Sequence, residues 1–244
     1  MKKILLLAII LALGVFIYLK IEAAGDPKSY FNQTTRYTLA KYASLRTILG
    51  LHNPGDARAE YVLSSKPIYI VWFKPLTEEL DPTLLDRFAN LVGSYTGRKV
   101  ELIKGGRLDD ITVPYENLGT YKFNSGAGLG STPILVFFTT DYSTRKANEF
   151  STTYLESGIV ISLSAHKKLL GSGNRNLQSY LLSSLLHEFG RQVGLEDNST
   201  LKCVMNSQKG PNGEALRFSA ISPPEDFCEK EKIQIKAIKS GLSN

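Results

Sequence analysis

The sequence predicts an α/β domain, and three observations carry that prediction. Apolar, β-rich runs recur at 67–73 (Pro-Ile-Tyr-Ile-Val-Trp-Phe), 133–139 (Pro-Ile-Leu-Val-Phe-Phe-Thr) and 158–163 (Gly-Ile-Val-Ile-Ser-Leu). Runs of that length and composition read as buried strands. Leu84, Leu85, Phe88, Leu91, Val92 and Tyr95 recur at helical spacing after the first run, the stripe of a helix with one apolar face. Leu177, Leu181, Leu182 and Leu185 mark a second helix. Its C-terminal half carries polar, chemically able groups.

In chain order, Met1-Lys2-Lys3 is a short basic start, followed by an uncharged apolar run from Ile4 to Leu19. This is a signal peptide or a membrane anchor over 1–24, outside the fold. The run is slightly short for a span of about 20 residues. Lys2 and Lys3 keep the N-terminus inside. The domain is therefore expected to face the extracytoplasmic side, with the membrane as a partner through this segment. Residues 25–65 form a juxtamembrane lead-in, with a helix around Thr38–Leu49 and a turn at Asn53-Pro54-Gly55-Asp56. The globular domain is 66–244, with an upper part 66–194 and a lower part 195–244.

Within it, Asp81 is placed to cap the first helix with Pro82 at N1, and Gly97 ends it. Lys99 to Ile103 is a second strand, Gly105-Gly106-Arg107 a turn, and Ile111–Tyr115 a short extended piece. Ser125-Gly126-Ala127-Gly128-Leu129-Gly130 is glycine-rich. A phosphate loop would continue with Lys-Ser/Thr into a helix. This segment does neither, so it is read as a flexible loop. Gly171 to Asn174 is a loop before the second helix. Little is regular after Asn198 until Pro223-Pro224. Glu225 to Ser240 then reads as a last helix with Ile233, Ala237 and Ile238 inward.

Composition narrows the functions. Hydrophobic content of 43% and charged content of 21% are ordinary for a folded domain. The net charge of +6 is spread out, with no basic block interleaved with aromatics, so nucleic acid is not an expected partner. There are three histidines, His52, His166 and His187, and two cysteines, Cys203 and Cys228.

The reactive stretch is His187-Glu188-Phe189-Gly190-Arg191-Gln192-Val193-Gly194-Leu195-Glu196-Asp197. On a helix, residues four apart stack on one side, so His187 and position 191 face the same way with Glu188 beside them. Gly194 suits the helix C′ position. After it the chain turns, and Asp197 swings back toward His187. Met205 follows in Cys203-Val204-Met205-Asn206. Taken alone, His187 reads equally well as a satisfied core histidine.

From His187 to Asn206 the chain resembles the metzincin zinc metallopeptidases, and among them the archaemetzincin group. Those enzymes place two imidazoles and a glutamate on one helix as His-Glu-x-x-His, then a glycine, a third ligand and a Met-turn. The resemblance implies a mixed, twisted β-sheet with a backing helix and an active-site helix, and a small irregular C-terminal subdomain ending in a helix. By position it implies His187 and Asp197 as zinc ligands, Glu188 as the catalytic base, Gly194 as the turn glycine and Met205 as the Met-turn. An Asp third ligand also occurs in the snapalysin group. Zinc is the expected cofactor, and a polypeptide substrate or an extended peptide in the cleft the expected partner.

The chain departs from that pattern. Arg191 stands where the second histidine belongs. Asn198 and Glu231 stand where archaemetzincins carry two more cysteines for a structural zinc, and the interval from Cys203 to Cys228 is longer. The two cysteines lack the partners a thiolate zinc site needs, and the expected compartment is oxidising. A Cys203–Cys228 bond is therefore expected, with two separate buried thiols as the alternative.

Arginine cannot ligate a metal, since its guanidinium has five donors, no acceptor and a fixed charge. It suits a bidentate pair with Glu188 or Asp197 instead. Two functions follow. One is an inactive or metal-poor metallopeptidase homologue that binds polypeptide, with the strand 158–163 as the pairing edge. The other is an active zinc endopeptidase completed by an unidentified ligand, for which His166 is the histidine to consider.

Overall fold

The computed structural model describes residues 67–107, 133–140, 150–154, 158–171, 176–208, 218 and 222–241. The N-terminal apolar segment, the helix expected near 38–49, the extended piece at 111–115 and the glycine-rich loop lie outside them. Among the described residues no helix is long and apolar enough to cross a membrane.

Among the described residues the architecture is a five-stranded mixed sheet with four helices. In chain order the elements are β1 (Ile68–Lys74), α1 (Pro82–Thr96), β2 (Val100–Arg107), β3 (Ile134–Thr139), β4 (Ser151–Tyr154), β5 (Gly158–Ser162), α2 (Leu163–Leu170), α3 (Leu177–Gln192) and α4 (Glu229–Gly241). The sheet runs β2-β1-β3-β5-β4. The first four strands in that order are parallel neighbours, and β4 pairs antiparallel with β5 at the edge. All six residues of β3 are buried, as a central strand covered on both faces requires.

The helices follow their sequence signals. The Asp81 side chain accepts from the Thr83 N–H at 2.9 Å, with Pro82 in the first turn. Gly97, at φ 65°, ends α1 in the left-handed region. α3 starts from Asn176 as cap and buries most of its length, including Leu181, Leu182, Leu185, Leu186 and Phe189. Phe88 of α1 meets Phe189 of α3 edge-on at 6.1 Å. Together with β1, β3 and β5 they form one core, which Val204, Met205, Phe227 and Ile235 extend into the lower part.

Five local expectations are corrected. Gly105 and Gly106 lie inside β2, which pairs with β1 as far as Arg107. Glycine belongs at 105 because a Cβ there would overlap the Phe73 ring and Val71. The strand expected over 158–163 ends at Ser162, which caps a helix, α2, over residues that carry no assignment from the sequence. β5 lies inside the sheet between β3 and the edge strand β4, so it offers no free edge. α4 begins at Glu229, four residues later than expected. Its inward positions are Glu231 and Ile235, with Ile238 packed alongside, whereas Ile233 is 64% exposed and Ala237 is exposed. A buried carboxylate holds the place where an apolar residue was sought, which shifts the inward stripe around the helix.

Candidate functional site

α3 carries His187 and Glu188 in its buried C-terminal half, where they meet the turn that follows the helix. That turn is set by main-chain bonds. The Gly194 N–H donates to the Arg191 carbonyl at 3.2 Å and the Leu195 N–H to the Gly190 carbonyl at 2.8 Å, the paired bonds of a Schellman ending. Gly194 has φ 92°, which glycine adopts without strain. The chain thus reverses and brings Asp197 back over the helix, as its spacing predicts.

Below the helix, residues 198–207 close on themselves. The Asn198 N–H donates to the Met205 carbonyl at 2.8 Å, and the Ser207 N–H to the Asn198 carbonyl at 3.0 Å. Met205 is fully buried. Its sulfur lies where a Cβ on Gly190 would be, with Phe227 and Leu195 close by. Gly190 is therefore a close-approach glycine that lets this loop press against α3. The sequence offered no signal for it beyond an unexplained glycine in a helix.

Four of the expected site residues come together. His187 is buried and its Nδ1 donates to the Val204 carbonyl at 2.9 Å. Its Nε2 faces Asp197 Oδ1 at 3.8 Å. A backbone carbonyl on one ring nitrogen fixes an imidazole for work at the other. Arg191 occupies the space in front. Its Nε and one terminal nitrogen donate to the two oxygens of Asp197 at 3.2 and 2.8 Å. Its other terminal nitrogen lies 3.5 Å from Glu188 Oε2. Burial acts to lower the Arg191 pKa, but the Glu188 and Asp197 carboxylates and their hydrogen bonds outweigh it and hold the guanidinium above its usual range. It is a permanent cation between two carboxylates.

Glu188 is 1% exposed. It accepts from Ser151 Oγ at 2.5 Å and from Thr153 Oγ1. Thr153 Oγ1 also reaches the Glu188 carbonyl at 3.2 Å. Residues two apart on a strand share a face, so the edge strand β4 presents both hydroxyls to α3. The sequence reading missed them. The run Ser-Thr-Thr-Tyr has the β-branched and aromatic content of a strand, which was the available signal.

His166 does not join the site. It is buried on α2, with Nδ1 against the Ser162 carbonyl at 2.6 Å and Nε2 against Ser184 Oγ at 2.9 Å. Phe150 and Phe218 pack on its ring. It is a satisfied core histidine, so it supplies no replacement ligand in this arrangement.

The second group of expected residues also gathers. Cys203 and Cys228 are bonded, with Cα atoms 5.1 Å apart. Beside them Asn198 Nδ2 donates to Glu231 Oε1 at 2.9 Å. The sulfurs and the Glu231 carboxylate lie within 4.8 Å of one another, a spacing that would suit a metal if the sulfurs were thiolates.

Neither group fits the metal that the sequence resemblance implies. In the first, the nitrogen ligand is one imidazole, the carboxylate ligand is bound through both oxygens, and a guanidinium stands at the third position. In the second, the sulfurs are bonded to each other.

No family model matches the sequence, and no curated protein matches it significantly. Among solved structures, the archaemetzincin of Methanopyrus kandleri is similar, at 17% identity and a TM-score of 0.48, over 71% of this chain and 96% of that one. The archaemetzincin of Archaeoglobus fulgidus, solved as a complex with malonate, is similar at 16% identity and a TM-score of 0.40, over 68% of this chain and 99% of that one. Neither likeness is close enough to assign a role to any residue here.

Proposed function

We propose that this chain is an extracytoplasmic homologue of the zinc metallopeptidases that has lost its catalytic metal and hydrolyses no peptide, and that it holds extended polypeptide in the old cleft. The observation that carries this reading is the Arg191 guanidinium. It binds Asp197 through two nitrogens and lies 3.5 Å from Glu188. The resemblance gives those two carboxylates to the metal and to the catalytic base, and here a protein cation engages both. Without a metal, water keeps a pKa near 15.7, against about 7 on zinc. A carboxylate already engaged by two hydroxyls and a guanidinium does not bridge that gap.

Among the described residues β4 ends the sheet on the side of the site, and an extended peptide adding to it by main-chain pairing is the binding mode we propose. The test is cleavage of an unfolded protein substrate, with and without a chelator. The expected result is no hydrolysis, unchanged by Glu188→Gln. In an Arg191→His background any activity should require zinc and disappear with Glu188→Gln. Chelator-sensitive cleavage by the unaltered chain, abolished by Glu188→Gln, would establish the active peptidase instead.

A further inference from the structure

Glu231 is a fully buried carboxylate that accepts four hydrogen bonds. Oε1 takes Asn198 Nδ2 at 2.9 Å and the Met205 N–H at 2.8 Å. Oε2 takes the Val204 N–H at 3.3 Å and the Cys228 N–H at 3.0 Å. The last bond is the return half of a capping box, in which a glutamate at N3 reaches back to the cap N–H. One side chain thereby ties the start of α4 to the 198–207 loop. The disulfide ties the same two segments covalently, through Cys203 and Cys228. Cys203 immediately precedes Val204, whose carbonyl holds His187 Nδ1 at 2.9 Å. Met205, the next residue, presses on Gly190 of α3.

We propose that the Cys203–Cys228 disulfide and Glu231 form a metal-free, redox-sensitive clamp that fixes the orientation of His187 through Val204, with Glu231 as its positioning residue. The inference stands whether or not Arg191 silences the site, because it concerns the floor under His187. Cys203 is 2% exposed and Cys228 only partly covered, so an external dithiol attacks the Cys228 sulfur and Cys203 leaves as thiolate. The second thiol of the reagent then displaces Cys228. Two electrons pass to the protein, which gains two thiols, and the reagent becomes the disulfide. Of the two ties between the loop and the start of α4, only the hydrogen bonds to Glu231 then remain, and the segment bearing the Val204 carbonyl loses its covalent link to α4.

The experiment uses the full-length protein with 15N-labelled histidine. Thermal unfolding and the His187 ring nitrogen signals are recorded oxidised, with dithiothreitol, and with a chelator. Reduction should lower Tm by about 10 °C and shift or broaden the His187 signals, while the chelator changes neither. Glu231→Gln should disturb the His187 signals in the oxidised protein. The double variant Cys203→Ser/Cys228→Ser should resemble the reduced protein and lose its response to reductant. If that variant does not fold, the reductant titration of the unaltered chain decides. Three results would each overturn the proposal: free thiols appearing with unchanged Tm and His187 signals, a chelator lowering the Tm of the oxidised protein, or the reduced protein taking up one zinc and regaining its full Tm. The last would make the cluster a metal site.

Discussion

On the proposed reading, replacing Arg191 by histidine should raise the affinity of the site for zinc, and the size of the change follows from the geometry. A unit charge and a dication at ~4 Å repel by ~8 kcal/mol at an effective dielectric of ~20, and by ~2 kcal/mol in bulk water. Side-chain exposures of 38% for Arg191 and 37% for Asp197 place this site between those limits, at about 4 kcal/mol. The variant also gains an imidazole ligand. Structural zinc sites reach ~10–16 kcal/mol with four ligands, so one ligand contributes about 3 kcal/mol. Together these favour zinc by about 7 kcal/mol, roughly five powers of ten in Kd. The metal-free variant loses the pair with Asp197, which at this exposure costs at most ~1 kcal/mol. Competition against a chromogenic chelator measures both affinities, and elemental analysis of the purified protein measures occupancy. The unaltered chain should purify with well under one zinc per molecule and Arg191→His with close to one. Full occupancy of the unaltered chain, or a Kd change below tenfold, would refute the reasoning.

Three further outcomes are expected. Gly190→Ala drives a Cβ into the Met205 sulfur, and overpacking of ~1–3 kcal/mol should lower Tm by several degrees despite the better helix propensity of alanine; an unchanged Tm would show that Met205 has room to move. Thr153→Val removes a hydroxyl from the buried Glu188 carboxylate and should cost ~1–3 kcal/mol, measured by urea unfolding, with Ser151→Ala milder because Thr153 also bonds the Glu188 carbonyl. Gly158→Ala places a Cβ against the Leu135 main chain at φ 148°, so it should separate β5 from β3 and yield insoluble protein, whereas soluble protein with native circular dichroism would contradict that.

What was legible in the sequence was whatever local periodicity or spacing encodes. β1, β3 and β5 announced themselves as apolar runs, and α1 by its Asp81-Pro82 start and Gly97 stop. The approach of Asp197 to His187 and Arg191 followed from helix spacing and one turn glycine. What stayed hidden depends on partners distant in the chain. Gly105 and Gly106 look like a turn until Phe73 is seen above Gly105. Ser151 and Thr153 sit in a short strand-like run whose role shows only when β4 is paired against β5 and their shared face meets Glu188. Glu231 is a charged residue in an otherwise ordinary helix start. Only the folded chain shows four donors converging on it. Ile233, Ala237 and Ile238 form an apolar stripe in sequence, but the buried Glu231 and Ile235 set the inward face and leave Ile233 in solvent. Arg191 was legible as a departure from a pattern, but its choice of Asp197 for the two-pronged pair required coordinates.

The strand order has a consequence for how the chain assembles. At the centre of the sheet Ile70 pairs with Ile134, so β1 must await a strand far along the polypeptide. The β4–β5 pairing, by contrast, joins neighbours such as Tyr154 and Gly158. Loop closure makes distant pairings slow, and a short antiparallel ribbon forms in microseconds. The ribbon that bears Ser151 and Thr153 is therefore expected to form early, with the parallel centre closing last. Substitutions in β4 should slow refolding, and those in β1 should mainly speed unfolding. On this order the hydroxyls that hold Glu188 are in place before β1 and β3 have met.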